Sequence, residues 1–295
     1  MATGLELYQK WVEFADLDGE LRAELENIRG DEEAIQDRFY KSLEFGTGGM
    51  RGVIGAGTNR LNIYTVRKAT EGLARYLVKQ GPRVKAEGVA IAYDCRHKSP
   101  EFADEAALVL ARHGIKAYVF DDLRPTPELS FAVRELQAAA GIVITASHNP
   151  PEYNGYKVYG PDGGQVVGSV ADAIIREVEQ VSNELEIDAM DKQEAREQGL
   201  YETIGHNIDD LYQKRLQTLS LNPGVIREQQ DLRIVYTPLH GTGHVPVREG
   251  LKNFGFKNVA IVPEQAVPDA DFSTVESPNP EEHAAFSMAI QLGEV

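Results

Sequence analysis

The chain has 295 residues, 42% of them hydrophobic and 26% charged, which is ordinary for a globular protein long enough to bury a sizeable core and form two domains. Its net charge of -16 argues against non-specific binding to nucleic acid or anionic membranes, although basic groups in a cleft can still bind an anionic substrate. We expect a cytoplasmic protein, because no apolar run approaches the roughly 18 residues of a membrane span, no signal peptide is evident, and Cys95 is the only cysteine, more plausibly a small buried residue than a nucleophile.

The first part of the chain predicts short helices followed by a glycine-rich loop. Residues 5–44 are charged and favour helices, with Trp11 and Phe39 among their apolar positions, and these helices should pack on the first domain. Glycine then clusters at 46–57. A helix is predicted at 62–80, because apolar residues recur on one of its faces.

From residue 89 the pattern alternates between strands and helices. Ser99 is a candidate N-cap with Pro100 at the first helical position. The predicted strands are 89–93, 115–120 and 140–145, and the predicted helices are 99–113, 126–136 and 169–185. Such alternation is typical of a parallel sheet with crossover helices.

A second α/β unit is predicted after a polar, acidic segment at 186–206, which fits a linker or the edge between two domains. Its predicted elements are helices at 208–219, 245–254 and 280–292, and strands at 232–236 and 259–262.

Residues 141–159 carry the strongest functional signal. An apolar run ends in Thr145-Ala146-Ser147-His148-Asn149-Pro150, and Lys157 follows on a short run. A serine at the carboxyl end of a buried strand lies where open α/β sheets bind ligands, but it needs a base or a cation to become a nucleophile. The G-x-S-x-G pattern of serine hydrolases is absent, and from composition alone a simple turn is the more frequent explanation.

The segment from Thr145 to Lys157 resembles the active-serine signature T-A-S-H-N-P-x-x-x-N-G-x-K of the α-D-phosphohexomutases, the phosphoglucomutase and phosphomannomutase superfamily. The resemblance implies that Ser147 carries a phosphate, gives it to a sugar phosphate, and receives the other phosphate of the resulting bisphosphate. It implies an acid/base or charge-stabilising role for Lys157, and contact with phosphate or substrate for His148. Phosphoryl transfer depends on positioning and on cations near the oxygens, which agrees with these roles.

A second match covers residues 44–52, E-F-G-T-G-G-M-R-G, which is neither a Walker A loop nor G-x-G-x-x-G. It resembles the F-G-T-x-G-x-R-G that opens the first domain of the same family, and looks most like the phosphoglucomutase and phosphopentomutase branch. The resemblance implies that Arg51 faces the phosphoserine, where a guanidinium can bind phosphate bidentately. Thr47, Gly48 and Asn149 become further candidates for binding phosphate or substrate.

Other polar positions are expected to play supporting roles. Asp94 and Arg96 match the family's D-x-R, which implies an ion pair that orders their loop. His240 lies in a P-x-H-G-x-G-like turn with an implied structural or substrate-side role. The two carboxylates of Asp269 and Asp271 can share a hard cation, but the family's metal loop is D-x-D-x-D-R, so a solvated loop is expected here.

The resemblance also implies the domain layout. We expect an N-terminal helical extension at 1–45, a first domain at 46–205 with a mixed, mainly parallel sheet sandwiched by helices, and an incomplete second α/β/α domain at 206–295. Neither D-x-D-x-D-R nor the family's sugar-selecting G-E-x-S-G occurs. The chain is therefore expected to be the N-terminal piece of a longer protein, which was shortened deliberately, is encoded by a gene fragment, or is truncated naturally. Its expected partner is the rest of its own polypeptide.

The family's metal is Mg²⁺, and the resemblance implies that three aspartates and one phosphoserine oxygen hold it. Because the D-x-D-x-D-R loop does not occur in the sequence, its three aspartates are expected to lie beyond Val295. The ion would then keep only the phosphate on Ser147 as a ligand, so the chain alone should be nearly inactive.

The leading interpretation is a mutase that interconverts α-D-glucose 1-phosphate and glucose 6-phosphate, with glucose 1,6-bisphosphate as activator and intermediate. Phosphopentose or mannose phosphate substrates, and a non-catalytic phosphosugar-binding or interaction fragment, are alternatives, and a serine hydrolase using Ser147 and His148 is a weak one. An exposed apolar edge is expected near 233–262.

Overall fold

The structure of the protein, a computed structural model, describes residues 3–46 and 48–294. Short helices open it, as predicted, and each begins where a side-chain oxygen accepts hydrogen bonds from free backbone N–H groups. Thr3 forms a capping box, and Asp18 and Asp31 cap the next two helices. These helices are α1 (Gly4–Glu13), α2 (Gly19–Asn27) and α3 (Glu32–Phe39).

The N-terminal helices pack on the following unit through Trp11, which is fully buried. Its ring meets Phe39 and Tyr64 edge to face, at centroid separations of 5.7 and 5.4 Å. Its indole N–H donates to Glu184 Oε1 at 2.9 Å, so the buried polar atom is satisfied. The expectation that this extension packs on the first domain is thus confirmed.

The largest unit is built on a six-stranded sheet in the order β1-β5-β4-β2-β3-β6. Its strands are β1 (Gly49–Val53), β2 (Val89–Tyr93), β3 (Ala117–Phe120), β4 (Ala140–Ile144), β5 (Tyr153–Tyr159) and β6 (Tyr201–Ile204). Its helices are α4 (Ile63–Lys79), α5 (Arg83–Glu87), α6 (Ser99–Arg112), α7 (Thr126–Glu135), α8 (Gly168–Glu179) and α9 (Lys192–Glu197). The pairs β4–β2, β2–β3 and β3–β6 are parallel, whereas β5 runs antiparallel to β4 and β1. The predicted mixed, mainly parallel sheet is confirmed.

Both faces of this sheet are covered, as parallel sheets require. Ile91, Ile142 and Ile144 lie in the cluster packed by α4, α6 and α8. Ala92 and Val143 alternate with them and face the cluster that α7 covers. The central strands are therefore apolar along their whole length.

Several local predictions were wrong. Of the two alternatives for residues 186–206, the linker is wrong, because the segment holds α9 and β6. β6 is the edge strand of the sheet that directly precedes the smaller unit, and among the described strands it pairs with β3 alone, so it needs no long apolar run. The helix predicted to reach residue 185 ends at Glu179, and a separate 3₁₀ turn follows at Glu184–Glu186. Ser99 is not the N-cap, because its hydroxyl donates instead to Asp94 Oδ1 at 2.7 Å.

The remaining elements form a smaller unit around two parallel strands, β7 (Arg233–Tyr236) and β8 (Asn258–Ile261). Its helices are α10 (His206–Gln217), α11 (Pro223–Glu228), α12 (His244–Phe254), α13 (Pro263–Ala266) and α14 (Ser287–Gly293). The helix predicted at 280–292 is split, because a 3₁₀ turn at His283–Phe286 precedes α14. Leu232 before β7 and Val245 on α12 are exposed, at 54% and 55%, whereas the larger apolar side chains of β7 and β8 are half-buried. The exposed apolar edge near 233–262 therefore stays a prediction. Within the described ranges, no helix has the length and apolar character needed to cross a membrane.

Candidate active site

Ser147 lies just beyond the carboxyl end of β4, exposed to solvent. Its backbone has φ of 58°, a left-handed conformation that non-glycine residues adopt infrequently and that often marks functional loops. The Ser147 N–H donates to Thr145 Oγ1 at 2.9 Å, which stabilises the sharp turn out of the strand. The hydroxyl is therefore displayed at the edge where β4 and its parallel neighbour β2 both end.

Arg96 is the side chain that shapes the serine loop. It is only 1% exposed, and each of its terminal nitrogens donates to two backbone carbonyls. Nη1 reaches the oxygens of Pro150 and Tyr153 at 2.8 and 3.0 Å, and Nη2 reaches those of Ser147 and Asn149 at 2.9 and 2.6 Å. One planar guanidinium thus fixes the path of the chain from the serine to the start of β5.

Asp94 holds Arg96 from the other side. Nε of Arg96 lies 3.4 Å from Asp94 Oδ2, within ion-pair range but without hydrogen-bond geometry, and Oδ1 accepts from the Arg96 N–H at 3.0 Å. Burial raises the pKa of the Asp94 carboxyl, against hydrogen bonds from Thr145, Arg96 and Ser99. Burial likewise lowers the pKa of Arg96, which the nearby Asp94 opposes. The ion pair implied by D-x-R is present, and Arg96 also grips the loop directly.

The Asn154-Gly155 pair joins the serine loop to the start of α6. Asn154 is fully buried, and its amide donates to the His97 carbonyl at 3.0 Å and to Ser99 Oγ at 2.8 Å. A Cβ on Gly155 would lie 2.6 Å from the Thr145 carbonyl oxygen, so only glycine allows β4 and β5 to approach this closely.

Arg51 and Lys157 lie on one face of the β1–β5 pair. Arg51 is opposite Gly155 and Gly49 is opposite Lys157, so the two cations are diagonal neighbours. Nη1 of Arg51 donates to Asn149 Oδ1 at 2.7 Å, which ties β1 to the serine loop. Burial, and then the charge of Arg51, lowers the pKa of Lys157. The Lys157 side chain forms no hydrogen bond or ion pair with the described residues, so its ammonium is available to a ligand.

Other predicted residues have plainer surroundings. His148 is exposed and bonds to none of the described residues. Gly48 is buried with φ of 78°, and a Cβ there would lie 2.5 Å from the Val166 carbonyl oxygen, which explains the glycine by close packing. Thr47 and Val295 lie outside the described residues, so the phosphate contact of Thr47 and the aspartate ligands beyond Val295 stay predictions.

His240 is buried inside the smaller unit rather than open to a ligand. Its Nδ1 donates to the Val267 carbonyl at 2.8 Å, so its Nε2 accepts from the Thr274 hydroxyl at 2.7 Å. Thr274 Oγ1 in turn accepts from Gln265 Nε2 at 3.1 Å. Both ring nitrogens are satisfied by protein groups, and this favours the structural role over the substrate-side one.

The remaining polar groups near the loop do not form a metal site. Asp269 accepts hydrogen bonds from the N–H groups of Asp271 and Ser273, and Asp271 pairs with His97 at 2.6 Å. Across residues 3–46 and 48–294 no three His, Cys, Asp or Glu side chains group to hold a metal ion, so these residues alone do not fit Mg²⁺. Burial raises the pKa of the Cys95 thiol to about 11, which argues against a nucleophilic role.

Two contributions were missed from the sequence. The carbonyl contacts of Arg96 depend on how the loop folds back over it, which no local pattern shows. Asn154 could have been nominated, because an Asn-Gly pair after a turn often carries a structural hydrogen bond.

Comparison with known proteins places the chain in a family. The phosphoglucomutase/phosphomannomutase α/β/α domain I profile matches residues 42–185, and the domain II profile of the same family matches residues 210–294. The chain belongs to the phosphoglucomutase/phosphomannomutase family. The predicted boundaries at residues 45/46 and 205/206 stay predictions.

Individual members of the family give the same result. A Staphylococcus aureus phosphoglucomutase is 42% identical over 96% of this chain and 49% of its own length. A Thermus thermophilus structure assigned as a phosphomannomutase matches with a TM-score of 0.69 and 29% identity, over 85% of this chain and 52% of that one. A Burkholderia thailandensis family member, at 21% identity and a TM-score of 0.62 over 84% of this chain and 49% of that one, shows the shared fold. The chain spans about half the length of the relatives it matches.

Proposed function

We propose that this chain supplies the phosphoserine part of a phosphoglucomutase, an isomerase in which Ser147 carries the phosphoryl group. The single observation that supports it most is the serine loop itself: Ser147 is displayed at a strand end, and buried Arg96 fixes the loop by four hydrogen bonds to backbone carbonyls. Arg51 is attached to the same loop through Asn149. Lys157 shares the face of the sheet that carries Arg51.

The charges around Ser147 suit a phosphate. A phosphoserine has about -1.5 to -2 charges near neutral pH and three acceptor oxygens. Arg51 supplies a planar donor set, and Lys157 supplies an ammonium without a protein partner among the described residues. His148 is exposed beside the serine and adds a further donor for the phosphate or the sugar.

The proposed transfer exchanges a phosphoryl group for a proton on both the sugar oxygen and Ser147 Oγ. A sugar hydroxyl oxygen forms a bond to phosphorus, the bond from phosphorus to Ser147 Oγ breaks, and the hydroxyl proton passes to a base. Oγ takes up a proton, and we assign Lys157 as its donor because burial and the charge of Arg51 lower the pKa of Lys157, which makes its proton easier to release. The second half of the reaction reverses these steps at the other phosphate of the bisphosphate.

Glucose phosphates are the proposed substrates. The relative from Staphylococcus aureus is named phosphoglucomutase, which favours glucose phosphates and glucose 1,6-bisphosphate over phosphopentose or mannose phosphate. Binding of Mg²⁺ through the phosphate on Ser147 stays an expectation. That the 295 residues alone are nearly inactive as a complete mutase also stays a prediction.

The transfer is tested with glucose 1,6-bisphosphate labelled at phosphorus. Because the 295 residues alone are expected to be nearly inactive as a complete mutase, the measurement follows slow transfer of a single phosphoryl group over a long incubation. We expect slow labelling of wild-type protein and slow return of that label to glucose monophosphate, no label on Ser147→Ala, and still slower labelling of Lys157→Met. Ser169→Ala, which removes an exposed hydroxyl from α8, is the matched control and should label normally. Equal labelling of wild type and Ser147→Ala would contradict the proposal, and label that never leaves the protein would favour a non-catalytic phosphosugar-binding role.

A further inference from the structure

A short loop of the smaller unit docks on the loop that carries Arg96. Cys95 Sγ lies 3.8 Å from the carbonyl oxygen of Asp269, and His97 Nε2 lies 2.6 Å from Asp271 Oδ1. Next to these contacts, Phe272 is only 5% exposed, although its neighbours in the loop, Asp271 and Ser273, are exposed. The ring covers Arg96, whose Cζ is 5.1 Å from the ring centroid.

The contact with Phe272 restrains the orientation of the planar Arg96 guanidinium. A guanidinium is planar, and its N–H groups point outward in that plane. All four hydrogen bonds from Nη1 and Nη2 go to carbonyls of the serine loop, so only the faces of the group are free to meet an aromatic ring. A ring placed over one face restrains the plane, and thereby the four carbonyl oxygens bonded in it.

The backbone of the docking loop is shaped to present this ring. Phe272 has φ of 50°, which is unusual for an aromatic residue. Asp269 stabilises the conformation, because its two carboxylate oxygens accept from the N–H groups of Asp271 at 3.0 Å and Ser273 at 2.9 Å. Left-handed backbone of this kind persists only where the surroundings enforce it.

We propose that Phe272 is a positioning residue for phosphoryl transfer at Ser147, acting through Arg96. Docking of the smaller unit then stabilises the conformation of the serine loop, so that the serine is phosphorylated faster when the ring lies over the guanidinium. The inference rests on the proposed function and deepens it, because it assigns control of the serine to a residue that does not touch substrate.

The alternative is that Phe272 is simply a buried apolar residue. Leucine would then replace it with a small loss of stability and no selective effect on the serine. An aromatic face is needed if the cation contact matters, because a leucine has no π-system to attract the guanidinium. Phe272→Leu and Phe272→Tyr therefore separate the two explanations.

The experiment uses the 295-residue chain and glucose 1,6-bisphosphate, with phosphorylation of Ser147 followed by mass spectrometry over time at several donor concentrations. Losing a cation–π contact of about 0.5–2 kcal/mol corresponds to roughly 2- to 30-fold slower phosphorylation in Phe272→Leu, mainly in the rate at saturating donor. Phe272→Tyr keeps an aromatic ring and should be phosphorylated at the wild-type rate. Phe286→Leu, which shortens a 38% exposed aromatic side chain in a neighbouring turn, is the control and should match wild type.

Hydrogen exchange of the amides at 147–153 is measured on the same proteins. Phe272→Leu should exchange faster there, with circular dichroism unchanged, and Asp269→Ala, which releases the turn, should act in the same direction. Wild-type rates in Phe272→Leu, or a Phe272→Tyr as slow as Phe272→Leu, would overturn the inference. If wild type takes up no phosphate, the proposed function fails, and the exchange at 147–153 alone decides whether Phe272 positions the loop.

Discussion

Replacing Arg96 by methionine is the sharpest perturbation of the site. Methionine keeps much of the buried volume but removes the charge and the donors to four backbone carbonyls. It also removes the ion-pair partner of Asp94, although the Ser99 hydroxyl still donates to Oδ1. The serine loop should then lose its fixed path, while β2 and β4, buried in the sheet, should keep theirs.

The expected size of the effect follows from the contacts. A hydrogen bond to a charged group contributes about 1.5–3 kcal/mol, but the freed carbonyls lie near the surface and water replaces part of each bond. Removing one partner of a buried ion pair costs about 3–5 kcal/mol. Because these contributions overlap, we expect Arg96→Met to lower the free energy of unfolding by about 3–5 kcal/mol, a third or more of the stability of many single domains.

Urea unfolding followed by circular dichroism measures this difference. Arg83→Met is the matched control, because Arg83 forms an i,i+4 pair with Glu87 while its side chain is 88% exposed, so its loss should change stability by less than about 0.5 kcal/mol. A loss below about 1 kcal/mol in Arg96→Met, at an unchanged m-value, would refute the view that this guanidinium holds the loop together.

Three further outcomes are expected. Glu128→Gln should make stability less dependent on pH between about 5 and 8, because burial, with a hydrogen bond to Asp209, raises the pKa of Glu128 to about 8. Gly155→Ala should lose at least about 2 kcal/mol in urea unfolding, because its Cβ would lie 2.6 Å from the Thr145 carbonyl oxygen. The exposed apolar side chains beside β7 should make the chain self-associate and bind a hydrophobic dye, which sedimentation and dye fluorescence measure.

The sign of the Glu128 prediction follows from proton linkage. Its folded pKa lies above the unfolded value of 4.5, so the folded protein binds more protons in this window and its stability falls as pH rises from about 5 to 8. The fall can reach about 1.4 kcal/mol per pH unit for one group. Glutamine mimics the protonated acid and should remove this slope, whereas an equal slope in wild type and variant would contradict the assignment. If Gly155→Ala is as stable as wild type, the prediction about close strand packing is contradicted. If the chain is a monomer that binds no hydrophobic dye, the prediction of self-association is contradicted.

The sequence predicted the parts of the fold that local patterns determine. β4 is buried along its whole length and β2 at all but its last residue, so continuous apolar runs revealed them. β1 and β5 have glycine and polar residues because they approach each other closely and carry Arg51 and Lys157, and no apolar pattern marks them. The edge strand β6 escaped notice because only β3 pairs with it.

The same limit applies to the site. Ser147 and Lys157 could be nominated because a continuous segment contains both. The hydrogen bonds from Arg96 to the serine loop and its contact with the Phe272 ring could not be predicted, because they join residues from separate parts of the chain. The Ser99 hydroxyl was assigned to a helix cap, a local role, whereas in the folded protein it donates to Asp94 Oδ1 and accepts from the Asn154 amide.

The central claim is that Ser147 carries phosphate. Its most direct test is phosphopeptide mass spectrometry on the tryptic peptide spanning Ser147, taken from protein exposed to glucose 1,6-bisphosphate. We predict a single phosphate, localised to Ser147. A peptide that never carries phosphate, or a phosphate localised to Thr145 or to another residue, would contradict the account.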